Sequence, residues 1–404
     1  MSGYVFPNEI EVHWRLFIVL YPYITGLVAG AFIVSSLYHV FGRSELKPLA
    51  RFSLLTALAF LFCAPLPLIS HLGQPLRALN IMMTPHLTSA MAGFGFIYSF
   101  YLILCLLETW FLFREDIVKF AATSKGFAKL FYTILTLGAK DISPEALDKD
   151  HKIVTVLATI GIPSACFLHG YVGFIFGSIK ANVWWSTPLM PIIFLLSATV
   201  SGVALLIVLY RAVTWLRRQK LELPCLMSLN SYLWIFLLLA TILELLEILQ
   251  MGYEGKEEWP MIQGLITNHI SLSYLVIQMG FGVLIPLILL PIGRSKSLSV
   301  KKKQRLTTIS GALVLVGVLA MRFNVVIGGQ LISKSMAGYT AYDWTLFSHE
   351  GIISAMILML LPLIVLTVIV RVLPPWFGEV KVPKKNAEVV PPINLKLQPK
   401  VGVK

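Results

Sequence analysis

Nine runs of roughly twenty apolar residues govern what this chain can become: near 15–41, 52–71, 87–113, 153–178, 187–210, 229–252, 264–292, 306–331 and 347–370. Coiled as an α-helix, a run of that length matches the roughly 30 Å of hydrocarbon in a bilayer. Composition agrees, with 57% hydrophobic and 13% charged residues and a mean hydropathy of +0.80, against about a quarter charged in soluble domains. The expected fold class is therefore all-α: a polytopic integral membrane helical bundle of about nine transmembrane helices, with ten possible. The doubtful tenth, "IVKFAATSKGFAKLFYTILTLG" at 117–138, is interrupted by Lys119, Lys125 and Lys129. That pattern suits an amphipathic helix lying on the surface.

A net charge of +13 could signal a nucleic-acid binder, but the basic residues sit in short loops between the apolar runs. Of 33 lysines and arginines, 27 fall in the segments 42–51, 114–152, 211–227, 293–305 and the tail from Arg371. The alternate connections hold one each: Arg15, Arg77, Lys180, Lys256 and Lys334. Under the positive-inside rule this alternation puts the N-terminus outside and the C-terminus in the cytoplasm, with nine crossings of the cytoplasmic membrane. The expected partner of the basic residues is the lipid bilayer, with no nucleic acid. Tryptophans 14, 184, 185, 259 and 344 fall near the outer edge, where an aromatic belt is expected. The organisation is an outer N-terminal segment (1–14), a transmembrane domain (15–372) and a cytoplasmic tail (373–404), rich in Pro and Lys, disordered or partner-bound. "MSGYVFPNEIEVHW" carries acids where a signal peptide needs a basic region, so no cleaved leader is expected. Neither G-x-x-x-x-G-K-[ST] nor G-x-G-x-x-G occurs to bind a nucleotide.

Ionisable groups inside spans are costly and mark function by default. Five qualify by position: His169, Glu244, Glu247, Arg322 and Glu350, all in the outer half. Glu108, near the inner boundary, is expected to be solvated. Glu244 and Glu247 share a helix face at i, i+3 spacing and would hold a proton between them or pair with a cation, for which Arg322 is the candidate. A neutralised structural pair and a proton-handling site weigh about equally here. Among the histidines only His169 lies deep, about nine residues or roughly 13 Å from the outer end of its helix. Bis-histidine haem ligation needs two at matched depth. The four cysteines are scattered and form no C-x-x-C, so no haem, iron–sulfur cluster or metal is expected to be ligated by this chain. "GLVAG" (26–30) and "GFIFG" (173–177) are close-packing motifs. Gly173, one turn from His169, could also leave a groove beside the imidazole.

The stretch "HGYVGFIFGSIKANVWWSTPLMPIIFLLSATVSG" resembles the fourth and fifth spans of the NrfD/PsrC family, quinone-interacting membrane subunits of respiratory oxidoreductases. "YITGLVAGAFIVSSL", "HLGQPLRALNIMMTPHLTSAM", "MRFNVVIGGQ" and "YDWTLFSHEG" agree in order and spacing, covering about residues 13 to 372. Within the family the likeness is greatest to the DsrP branch, linked to dissimilatory sulfite reduction. The resemblance implies menaquinone or menaquinol bound near the outer face, in a site drawn from Tyr21 and Tyr171 with His169 adjacent. It further implies a periplasmic-side ferredoxin-like iron–sulfur partner, with cytochrome c, cytochrome b and cytoplasmic iron–sulfur subunits in the same complex. Tyr21 stands where relatives carry a histidine, and His71 where many carry an aspartate. Because His169 and Tyr171 are two residues apart, about 200° around a helix, both can face one pocket only if Pro163 distorts the helix.

The resulting expectation is an electron-transfer membrane subunit whose protons pass through His169, Glu244, Glu247 or Glu350. The alternative is a secondary, proton-coupled transporter, which would show paired helix breaks in repeated halves. Pro191, Pro286 and Pro362 form no such pairs.

Overall fold

The computed structural model describes residues 2–86 and 88–376. Among them nine helices are long and apolar enough to cross a membrane: α1 Leu16–His39, α2 Ser44–His71, α3 Ala90–Thr123, α4 Pro144–Gly177, α5 Met190–Leu216, α6 Leu223–Glu254, α7 Leu272–Gly293, α8 Val300–Leu331 and α9 Ile352–Val372. The protein is a multi-pass integral membrane protein. The stretch at 117–138 does not supply a tenth span. α3 runs on to Thr123, and a separate ten-residue helix follows at Gly126–Leu135, too short for a bilayer. Its Phe127, Leu130, Phe131 and Ile134 are exposed at i, i+3, i+4, i+7, which is one apolar face. Trp110 Nε1 ties it to α3 through the Leu135 carbonyl at 2.8 Å, and Tyr132 Oη ties it to the Val372 carbonyl at 2.8 Å.

α1 and α5 form the centre. α1 packs on α5, α2 and α4; α5 also holds α4, α8 and α6; α3 lies on α4, α7 on α8, and α9 on α2. The α1–α5 crossing explains "GLVAG", since a Cβ on Gly30 would stand 2.6 Å from Gly202 Cα and 2.7 Å from the Thr199 carbonyl oxygen. Only bare backbones approach so closely, and dispersion over that contact replaces the hydrophobic drive that lipid removes. Helix ends follow local chemistry. Ser143 caps α4 by accepting the Ala146 N–H at 3.3 Å, with Pro144 in the first turn. α6 ends at Gly255 with φ +59°, the left-handed turn that glycine adopts without strain.

The basic-rich end is tied by buried ion pairs. Arg114 donates from Nε to Asp150 Oδ2 at 2.7 Å and from Nη1 to the Asp141 carbonyl at 2.7 Å. Arg51 pairs with Asp116 and lies 4.0 Å over the Phe113 ring. At the basic-poor end Ser2–Tyr4 pairs antiparallel with Ala337–Tyr339. Beside it Glu9 Oε2 accepts from Ser333 Oγ at 2.6 Å and from the Lys334 N–H at 3.0 Å. The tail expected from 373 lies outside the described residues beyond 376.

Candidate functional site: polar groups toward the basic-poor end

α4 is continuous from Pro144 to Gly177, with Pro163 inside it, so His169 and Tyr171 diverge as a regular helix requires. His169 turns inward, is 2% exposed, and its Nε2 has no protein partner. Tyr171 turns toward α3, its hydroxyl lying over Gly93 where a side chain would stand, with Phe167 and Phe174 beside its ring. The next residue of α3, Phe94, meets the Tyr21 ring edge-on at 5.3 Å. Tyr21 is buried, and its hydroxyl has no protein partner. Adjacent residues of α3 thus hold the two tyrosines named from the sequence. Further along the same seam an apolar groove of about 450 Å³ opens between α3 and α4, walled by Phe96, Phe100, Pro163 and Phe167. A buried hydroxyl without a partner beside α3, and a groove along the same helix able to hold hydrocarbon, suit a ligand with a hydrogen-bonding head and an apolar tail.

Arg322 lies on the other side of His169. It is 1% exposed and within electrostatic reach of Tyr23, His169 and Glu244. It forms no salt bridge with the α6 carboxylates. Its Nη2 donates to Ser197 Oγ at 2.6 Å, its guanidinium stacks 3.9 Å over the Phe194 ring, and its Nε and Nη1 have no protein partner. The direct ion pair considered from the sequence is replaced by a guanidinium anchored on α5. Glu244 is bound instead by Gln278 Nε2; Gln278 Oε1 accepts from Asn324 Nδ2 at 2.7 Å, and Asn324 Oδ1 from Ser273 Oγ at 2.5 Å. Glu247 is 8% exposed and its Oε1 has no protein partner. Cavities of about 30 and 40 Å³ meet at Glu244, the first also lined by Glu247 and the second by Ser197 and Gln278. Each is mostly apolar but offers a few polar groups, Glu244 foremost, and has room for a couple of water molecules.

Other expectations change with the tertiary structure. Gly173 does not open a slot beside His169, because its missing side chain is filled by α5: a Cβ would stand 2.6 Å from the Met190 carbonyl oxygen and 2.7 Å from Pro191 Cα. Glu350 is not within a span, since α9 begins at Ile352. It pairs instead with His71 Nδ1 at 2.6 Å at the basic-poor end. Trp184 and Trp185 are 7% and 4% exposed and form no lipid belt. Trp185 stacks on Trp14 at 5.2 Å and donates to the Val325 carbonyl at 2.5 Å.

Glu108 is 0% exposed, and neither carboxylate oxygen has a protein partner; it is not solvated. It shares one face of α3 with buried Tyr101 and Cys105. That i, i+4, i+7 spacing is the sequence signal that marks it as inward-facing. A second buried histidine, His39, ends α1 at the basic-rich end, far along the bundle from His169. Among the described residues no three His, Cys, Asp or Glu side chains converge as a metal set.

Comparison with known proteins agrees with this architecture. The family model "Polysulphide reductase, NrfD" matches residues 6–334. A selenate reductase subunit of Mesobacillus selenatarsenatis is 28% identical over 95% of this chain and 91% of its own length. Protein NrfD of Escherichia coli is 24% identical over 79% of this chain and 95% of its own. An Hdr-like menaquinol oxidoreductase integral membrane subunit of Archaeoglobus fulgidus is 23% identical over 49% of this chain and 41% of its own. With its nine spans and a family match running through eight of them, this chain belongs to the NrfD family of membrane subunits.

Proposed function

We propose that the chain is the quinone-reactive membrane subunit of a multisubunit oxidoreductase. It binds menaquinone or menaquinol in the α3–α4 seam near the outer face and exchanges electrons with an iron–sulfur subunit docked there. The observation that carries this is the seam itself, where the Tyr171 hydroxyl lies over Gly93 and the ring of Tyr21, whose hydroxyl has no protein partner, meets Phe94, with a groove of about 450 Å³ between α3 and α4. Relatives named as subunits of a selenate reductase and of a menaquinol oxidoreductase support the class. Cytochrome and cytoplasmic iron–sulfur partners, and the sulfur-linked branch, rest on the sequence resemblance alone.

When bound, a quinone supplies a couple of two electrons and two protons. Tyr171 and Tyr21 hydrogen-bond its oxygens, and the α3 and α4 aromatics exclude water from the ring. His169, one face further in, can accept or donate a proton. The Arg322 guanidinium, within electrostatic reach of both His169 and Glu244, biases where charge settles. Glu244 and Glu247, beside two water-sized cavities, can hold a proton displaced from the ring. π-helical turns over Leu272–Leu284 of α7, which carries the Gln278 bound to Glu244, and over Asn324–Gly328 of α8 favour a second reading, proton-coupled transport by α6–α8.

Quinol-dependent reduction of the partner's clusters in the assembled complex separates the two readings. Tyr171→Phe and Tyr21→Phe should each lower it roughly tenfold, and His169→Leu more, with assembly intact. Full quinol activity in all three assembled variants would overturn the site. Solute uptake by the isolated chain would favour the transporter.

A further inference from the structure

A larger cavity lies on another face of α1. It measures about 900 Å³, within the range of small-molecule sites. Leu16, Val19 and Leu20 of α1 form its back, α8 and α9 its sides, and the segment 340–344 its roof. Tyr21 and the α3–α4 seam lie on a different side of α1 and contribute nothing to it. Its flanks Leu272, Trp344 and Met356 are 68%, 60% and 58% exposed, so it opens sideways toward lipid.

The backbone around it is irregular. π-helical turns run over Leu265–His269 and Leu272–Leu284, interrupted at Ile270 and Ser271, and again over Asn324–Gly328. Such turns are rare and recur at functional sites; here both helices that carry them line the same cavity. The interruption brings Asn268, His269, Ser271 and Ser273 to its polar end, opposite Thr340 and Tyr342. Ser273 is also the first member of the hydrogen-bond chain through Asn324 and Gln278 to Glu244. A flat aromatic wall completes that end, with Phe323 stacked on Trp344 at 5.2 Å and 9°, and Tyr342 edge-on to Trp344 at 5.1 Å.

No Lys, Arg, Asp or Glu lines the cavity. A phosphate-headed lipid would therefore lose its hydration there without gaining a cation. An uncharged, flat, hydrogen-bonding ring would be satisfied by the Asn268 amide, the His269 imidazole and the Ser271 and Tyr342 hydroxyls, stacked by the aromatic wall, and its chain accommodated by the apolar depth. We propose that this cavity is a second binding site for an isoprenoid quinone, separate from the α3–α4 seam and joined by hydrogen bonds to Glu244. It takes the ligand class of the proposed function but not its site, so either can fail without the other.

Photolabelling the assembled complex in nanodiscs with an azido-naphthoquinone bearing a prenyl tail, followed by peptide mapping, tests this. Label is expected in 90–105 and 165–175, and separately in 265–275 and 340–360. Ala355→Phe, which fills the cavity, should abolish the second set and leave the first. Asn268→Leu, which removes a donor without adding bulk to the helix contacts, should weaken the second set roughly tenfold and serves if Ala355→Phe does not assemble. Label in the seam alone, or second-set label indifferent to both variants, overturns the second site. Recovery of a phospholipid in the cavity that excess quinone does not displace overturns it equally. Label in the cavity alone would refute the seam instead.

Discussion

Arg322 Nη2 donates to Ser197 Oγ at 2.6 Å, fixing a buried guanidinium to α5 while two of its nitrogens keep no protein partner. A buried cation held this way is positioned by shape as much as by charge, through the planar fork and the stack on Phe194 at 3.9 Å. Lysine keeps the charge but neither the fork nor the stack. Arg322→Lys is expected to cost about 1–3 kcal/mol of stability, read by thermal unfolding in detergent. It should also depress quinol-dependent turnover in the complex. A variant equal to wild type in both would show that only the charge matters.

Gly173 tests packing against ligand space. Because α5 backbone already occupies the position of its Cβ, Gly173→Ala should destabilise the bundle by about 1–3 kcal/mol without changing the apparent quinol affinity of whatever assembles. A selective loss of quinol affinity with unchanged stability would return Gly173 to the ligand site.

Glu9 gives the basic-poor end a pH dependence. Burial pushes its carboxyl up, but the hydrogen bonds from Ser333 and Lys334 and the Lys334 ammonium outweigh that and hold it below its ordinary value. The clamp therefore contributes fully above the unfolded carboxylate value of about 4.3. That contribution is lost as the pH falls through the lower folded value. Protection of the amides at 331–340, taken as exchange relative to the intrinsic rate at each pH, should fall on acidification in the wild type, and Glu9→Gln should remove most of that dependence. Identical pH profiles would show that the clamp is not carried by this carboxylate.

Reporter fusions at residue 140 and at the C-terminus should both report cytoplasm, from the basic asymmetry of the loops. The ten-residue length of Gly126–Leu135 leaves both points on one side. Opposite readings would require that segment to cross and would invert every later loop.

The nine spans and the all-α class were legible because a bilayer-length apolar run must close its backbone hydrogen bonds within itself, whatever its neighbours are. The GLVAG contact was legible for a related reason, since bare backbone on one helix face demands a close neighbour. Which way each polar side chain turns was not. In a helix apolar on every face, no amphipathic stripe separates lipid from protein, so the direction of His169 toward Arg322 and of Tyr171 toward Gly93 was set only by where α3, α5 and α8 stand. Glu108 became buried because the α3 face it shares with Tyr101 and Cys105 turns into the bundle, and Glu350 fell outside the span because α9 starts only at Ile352. Sequence spacing placed these groups along their helices; the packing of the other helices decided what each one meets.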